Sequence, residues 1–140
     1  MFYTGDVRDA NGILAKETRN LASDSAKIES TRKLCEMTRT LKGELEANNV
    51  DALGRILADS WAIKKSLASG ISNPMIDLNY DKAIKAGATG GKLLGAGGGG
   101  FLLFYVPTAE AKKSVREALG GLTEMAFELD QAGCSIIFME

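Results

Sequence analysis

Between Leu94 and Phe101 the chain reads Gly95-Ala96-Gly97-Gly98-Gly99-Gly100, a stretch with almost no side chains. Each glycine loses more backbone freedom on folding than alanine would, by roughly 0.5–1 kcal/mol, so a run this dense calls for a return. Close approach of the backbone to a ligand is one such return; a tightly turned hairpin loop without a ligand is the other. Gly95, Gly97 and Gly100 satisfy the G-x-G-x-x-G spacing of dinucleotide sites, but that chemistry needs a helix directly afterwards to aim its dipole at phosphate. Here the follower is Phe101-Leu102-Leu103-Phe104-Tyr105-Val106, which reads as a strand. The P-loop reading fails as well, because no Lys-Ser or Lys-Thr pair closes the run to supply side chains for phosphate and magnesium.

Few other residues offer chemistry. There is no histidine, which removes the commonest general base and zinc ligand, and Cys35 and Cys134 are isolated from one another. No catalytic residue and no metal ligand is assigned. Lys92 could set a charge beside an anion or be a solvated strand lysine. Arg8 could face a phosphate, whose geometry suits guanidinium, or lie on the surface of a first helix. Ser72 and Asn73 precede Pro74 in good loop chemistry. Asp77 reads as the N-cap of a helix rather than as an acid.

The elements that must position these residues follow from periodicity. Met1 to Thr4 reads as the tail of a strand. Asp9 to Leu21 is a helix, and Ser23-Asp24-Ser25 ends it and caps the next. Ile28, Leu34, Met37, Leu41 and Leu45 predict a long amphipathic helix that Asn48 and Asn49 break. Asp51 caps a third helix, with Trp61 among its core residues, ending at Gly70. A connector from Ile71 to Met75 leads to a short helix from Asp77 to Ala86. Lys92–Ala96 and Phe101–Val106 are strands around the glycine run, and Pro107-Thr108 start a helix through Leu119. Met125, Phe127 and Leu129 alternate with polar or small residues and predict a strand that hairpins into Cys134–Met139. The order predicts one α+β domain over residues 1–140: a two-layer sandwich, with an antiparallel sheet of about four strands and helices on one face.

Seventeen basic residues nearly balance eighteen acidic ones, so no field of one sign exists to hold nucleic acid or an anionic membrane. No stretch is long and apolar enough to span a bilayer. Each cysteine sits in an apolar pattern, as free thiols do when they pack as small hydrophobes, which fits a reducing cytoplasm.

Two segments carry a resemblance: Ile71-Ser72-Asn73-Pro74-Met75-Ile76-Asp77, then Ala86-Gly87-Ala88-Thr89-Gly90-Gly91-Lys92-Leu93-Leu94-Gly95-Ala96-Gly97-Gly98-Gly99-Gly100-Phe101. Together they resemble the third motif region of the GHMP kinases. Tyr3 to Leu14 looks like the start of the carboxyl-terminal domain in the branch that holds D-glycero-D-manno-heptose 7-phosphate kinases and fucokinases.

The resemblance implies that Gly95, Ala96, Gly97, Gly98, Gly99 and Gly100 border the nucleotide and substrate cleft, with Ser72 and Asn73 near the sugar and Arg8 and Lys92 as further candidates. It implies ATP and magnesium as cofactors, and phosphorylation of a heptose 7-phosphate at its anomeric hydroxyl, with fucokinase as the neighbouring alternative. The family's Pro-x-x-x-Gly-Leu-Ser-Ser loop and catalytic acid lie in an amino-terminal domain, and nothing here matches them. The chain is therefore expected to need that domain as a partner, to meet its sugar phosphate only alongside it, and to be inactive alone. The apolar surface left without it could drive a homodimer. A non-catalytic α+β binding or oligomerisation module is the other class of function.

Overall fold

The computed structural model of the chain describes residues 1–5 and 10–130. β1 is Phe2–Tyr3 and α1 is Ala10–Ser23. Asp24 lies in extended backbone and its carboxylate accepts from Ala26 N at 2.9 Å, starting α2 (Ser25–Glu46) as the serine-aspartate cluster predicts. A left-handed Asn48 follows, with φ 62°, and turns the chain into α3 (Ala52–Leu67). Then come α4 (Pro74–Lys85), β2 (Gly90–Leu93), β3 (Phe101–Tyr105), α5 (Ala109–Ala118) and β4 (Thr123–Glu124).

Two caps differ from expectation. Asp51 sits in helical backbone and makes no cap bond; its Oδ1 accepts from the Tyr105 hydroxyl at 2.7 Å instead. The fourth helix begins at Pro74, not Asp77, and its cap is Asn73. Proline carries the φ of a first helical residue and lacks the amide that would be orphaned there, while it holds the residue before it in extended backbone.

The four strands form one antiparallel sheet in the order β2-β3-β1-β4. Leu93, Leu102 and Phe2 stand in register and are buried on one face. Against Leu93 and Leu102 pack Ile13, Trp61, Leu67, Ile71 and Ile76; Phe2 joins Ala83, Ala88, Val115 and Leu119, and Phe104 touches both groups. Tyr3, Phe101, Leu103 and Tyr105 alternate onto the opposite face and stay half-buried. This is the two-layer α+β sandwich that the pattern predicts.

The edge strand β2 is held by contact of backbone with backbone. A Cβ at Gly90 would lie 1.7 Å from the Gly54 carbonyl oxygen, so α3 rests directly on the strand. α1 joins this layer through Lys64, which donates to both Glu17 oxygens at 2.6 and 2.8 Å, and through Asn20 Nδ2, which donates to Leu67 O at 2.8 Å.

Other expectations need correction. Met125, Phe127 and Leu129 are exposed and form no strand; the last described strand is Thr123–Glu124, and it pairs with β1. The return strand expected at Cys134–Met139 lies outside the described residues. α2 has no buried residue and leaves Ile28 and Leu45 nearly half exposed, because among the described elements its packing is chiefly against α3 and α1. Cys35 is an exposed free thiol, since it falls on the outer side of that helix; Cys134 is outside the described residues.

The far edge of the sheet carries a pH-dependent tie. Arg116 Nε and Nη2 donate to Glu124 at 2.8–3.0 Å and hold its carboxyl below the ordinary value of 4.5. A depressed folded-state value stabilises the fold above the unfolded value, and that contribution is lost as pH falls through the folded one. Glu124→Gln is expected to lower the melting temperature at pH 7, with the gap to wild type closing as pH falls below 4.5 and through the lowered folded-state value. Thermal melts across that range check it; a gap that persists in acid would count against the pair.

Candidate functional site: the glycine hairpin loop

The glycine run is the tip of the β2–β3 hairpin, closed by Leu94 N donating to Phe101 O at 2.8 Å. It is held from two sides. On one, Gly98 N donates to Ile71 O at 2.9 Å and Asn73 Nδ2 donates to Gly98 O at 3.3 Å. On the other, Gly100 N donates to Thr4 Oγ1 at 3.0 Å while Thr4 N donates to Gly100 O at 2.8 Å. Gly97 shows why this position excludes a side chain: its φ is +112° and a Cβ would lie 2.6 Å from Ile71 Cα. The loop is therefore a docked element, with Gly97 and Gly98 buried and Gly95 exposed.

Docking leaves donors over. The amides of Gly95, Ala96, Gly97 and Gly99 have no acceptor among the described residues. Positive φ at Gly95, Gly97, Gly98 and Gly100 is a backbone habit shared with the turns that bind anions through their amides. The chemistry on offer is charge stabilisation by fixed dipoles, without proton transfer.

Ser72 and Asn73 adjoin the loop, but both are engaged internally. Ser72 Oγ donates to Asp77 Oδ1 at 2.9 Å, which also accepts from Lys65 Nζ at 3.1 Å. Asn73 Oδ1 accepts from Ile76 N at 2.9 Å, capping α4. Lys92 is half-buried opposite Leu103 in the sheet and makes no ion pair among the described residues. Arg8 lies outside the described residues. Sequence reasoning missed Thr4 and Ile71 as holders of the loop, because Ile71 acts through its backbone carbonyl and Thr4 meets Gly100 across 96 residues of sequence.

Among the described residues no group of three histidine, cysteine, aspartate or glutamate side chains lies placed to hold a metal ion. No described helix is long and apolar enough to cross a membrane. A separate cavity of about 390 Å³ lies at the other end of β3, beside Phe2, Val106, Lys112 and Phe127, and includes none of the loop residues.

The fold is thus an α+β two-layer domain that carries a docked glycine loop at the tip of its β2–β3 hairpin. The family described as GHMP kinases C terminal matches residues 41–122, more than half of the chain, and the chain belongs to that family. It is 35% identical over 118 residues to the bifunctional fucokinase/GDP-fucose pyrophosphorylase of Arabidopsis thaliana, covering 84% of this chain and 11% of that protein. It is 29% identical over 130 residues to the D-glycero-alpha-D-manno-heptose 7-phosphate kinase of Campylobacter jejuni, covering 91% of this chain and 38% of that one. The chain thus spans well under half the length of these relatives. Its fold superposes on the L. major mevalonate kinase solved with R-mevalonate, with a TM-score of 0.74 at 14% identity, over 86% of this chain and 36% of that one.

Proposed function

We propose that residues 1–140 are the carboxyl-terminal domain of an ATP-dependent sugar kinase, and that the Gly95–Gly100 loop faces the phosphates in a cleft completed by an amino-terminal domain. The observation that carries this reading is the set of amides left without acceptors on a loop that is otherwise fixed. In phosphoryl transfer the protein mainly positions reactants and spreads charge, and preorganised amides serve that purpose. The γ-phosphoryl group passes from the ADP oxygen to the sugar hydroxyl oxygen, whose proton is taken by a base from the other domain. Magnesium is expected to arrive with the nucleotide and to need that domain, since it is held largely by phosphate oxygens with one or two carboxylates.

The acceptor we favour is the anomeric hydroxyl of D-glycero-D-manno-heptose 7-phosphate, supported by the match along 91% of the chain. L-Fucose is the second reading, favoured by the 35% identity to the Arabidopsis protein. Ser72, Asn73, Lys92 and Arg8 remain candidates for the sugar side. The exposed thiol of Cys35 suits a reducing cytoplasm.

Calorimetric titration with magnesium and ATP tests the proposal. The chain alone is expected to give no saturable heat; mixed with the separately expressed amino-terminal half of its parent protein, it should bind with a Kd between about 1 µM and 1 mM. Adding each sugar to the mixture then tells heptose 7-phosphate from fucose by product formation. Saturable binding by the chain alone would make it a nucleotide-binding module in its own right. A dimeric mass by light scattering would point to self-association of the face offered to the other domain.

A further inference from the structure

We propose that Asn73 is a positioning residue: one side-chain amide starts helix α4 with its oxygen and fixes the glycine loop with its nitrogen, so the loop's geometry is coupled to the helix. The oxygen accepts from Ile76 N at 2.9 Å, which satisfies one of the amides left free at the start of α4. The nitrogen donates to Gly98 O at 3.3 Å. Gly98 N in turn donates to Ile71 O at 2.9 Å, so Gly98 is gripped through both its amide and its carbonyl by the connector that ends at the cap. The preceding Gly97 leaves no space for that connector to shift, since a Cβ there would already meet Ile71 Cα. Extended backbone at Asn73, φ −145° and ψ 167°, is imposed by Pro74 and aims both ends of the amide.

No other side chain of similar size performs both tasks. Serine and aspartate cap as well as asparagine but have no amide nitrogen to donate. Asn73→Ser and Asn73→Asp therefore keep the helix start and release the loop, whereas Asn73→Ala loses both. Only the effect on nucleotide affinity rests on the loop being the phosphate side; the coupling itself does not.

Amide hydrogen exchange on the full chain tests this directly. In Asn73→Ser the Ile76 amide should keep its wild-type protection, while the Gly98 amide should exchange about five- to tenfold faster, the effect of losing one hydrogen bond from a local closed state. Asn73→Asp should behave in the same way, which removes charge as the cause, and Asn73→Ala should accelerate both amides. Unchanged Gly98 exchange in a folded Asn73→Ser chain would overturn the coupling. The unmodified chain supplies a check that needs no variant: the Asn73 side-chain amide protons should exchange several-fold more slowly than those of exposed Asn48, and equal rates would overturn it too. If the chain and its amino-terminal half then fail to bind ATP while the exchange pattern holds, the functional reading falls and the coupling stands.

Discussion

A chain carrying Gly90→Ala is expected to lose at least about 3 kcal/mol of stability, a large part of what holds a domain of this size together. The added methyl carbon would lie 1.7 Å from the Gly54 oxygen and 2.6 Å from its carbonyl carbon, with the Ala58 Cβ at 3.1 Å. Two of these three atoms are helix backbone, so no side chain can turn aside. α3 must lift from β2, and the buried Ile56 and Trp61 lift with it. Urea unfolding followed by the fluorescence of Trp61, the single tryptophan, reads this loss. A change below about 1 kcal/mol would mean that helix and strand do not touch as described.

Gly97→Ala should combine a smaller loss of stability with a specific loss of function. The substitution meets two obstacles, a φ of +112° that L residues rarely adopt and the Ile71 backbone at 2.6–3.2 Å. Together they should cost about 2–4 kcal/mol, or else free the loop from its connector. Gly95→Ala isolates the first obstacle, since Gly95 has a φ of +86° and nothing within 4 Å of its Cβ position; it should cost about 1 kcal/mol. In titrations with the amino-terminal half present, Gly97→Ala should weaken ATP binding at least tenfold, or about 1.4 kcal/mol, while Gly95→Ala leaves most of it. Equal effects of the two would show that docking against Ile71 is immaterial to the loop's role.

Much of this architecture can be read directly from residue order. The helix cap at Asp24, the buried Trp61 and the hairpin around the glycine run follow from local patterns that the tertiary structure does not override. Asp51 and Asp77 mislead because a carboxylate before an apolar run fits a cap, a surface tie or an ion pair equally well. The Tyr105 hydroxyl takes the first, while Ser72 and Lys65 share the second. The Met125–Leu129 alternation has the period of a strand, yet only Met125 pairs, exchanging backbone bonds with Met1, and the side chains beyond it are exposed. At the site, glycine density marks the loop itself, but its holders Thr4 and Ile71 are set by contacts between distant segments.

β1 sits inside the sheet, between β3 and β4, although it is the first strand in the sequence. The bond from Gly100 to Thr4 joins positions 96 residues apart, whereas α1, α2 and α3 pack on near neighbours in the chain. Folding thus divides by sequence distance. The helical layer can assemble from short-range encounters, and the sheet must await closure of a long chain loop, the slow kind of contact. The glycine hairpin gains its second anchor only at that late step, so the docked form of the loop is complete only once the amino-terminal strand β1 has paired with β3.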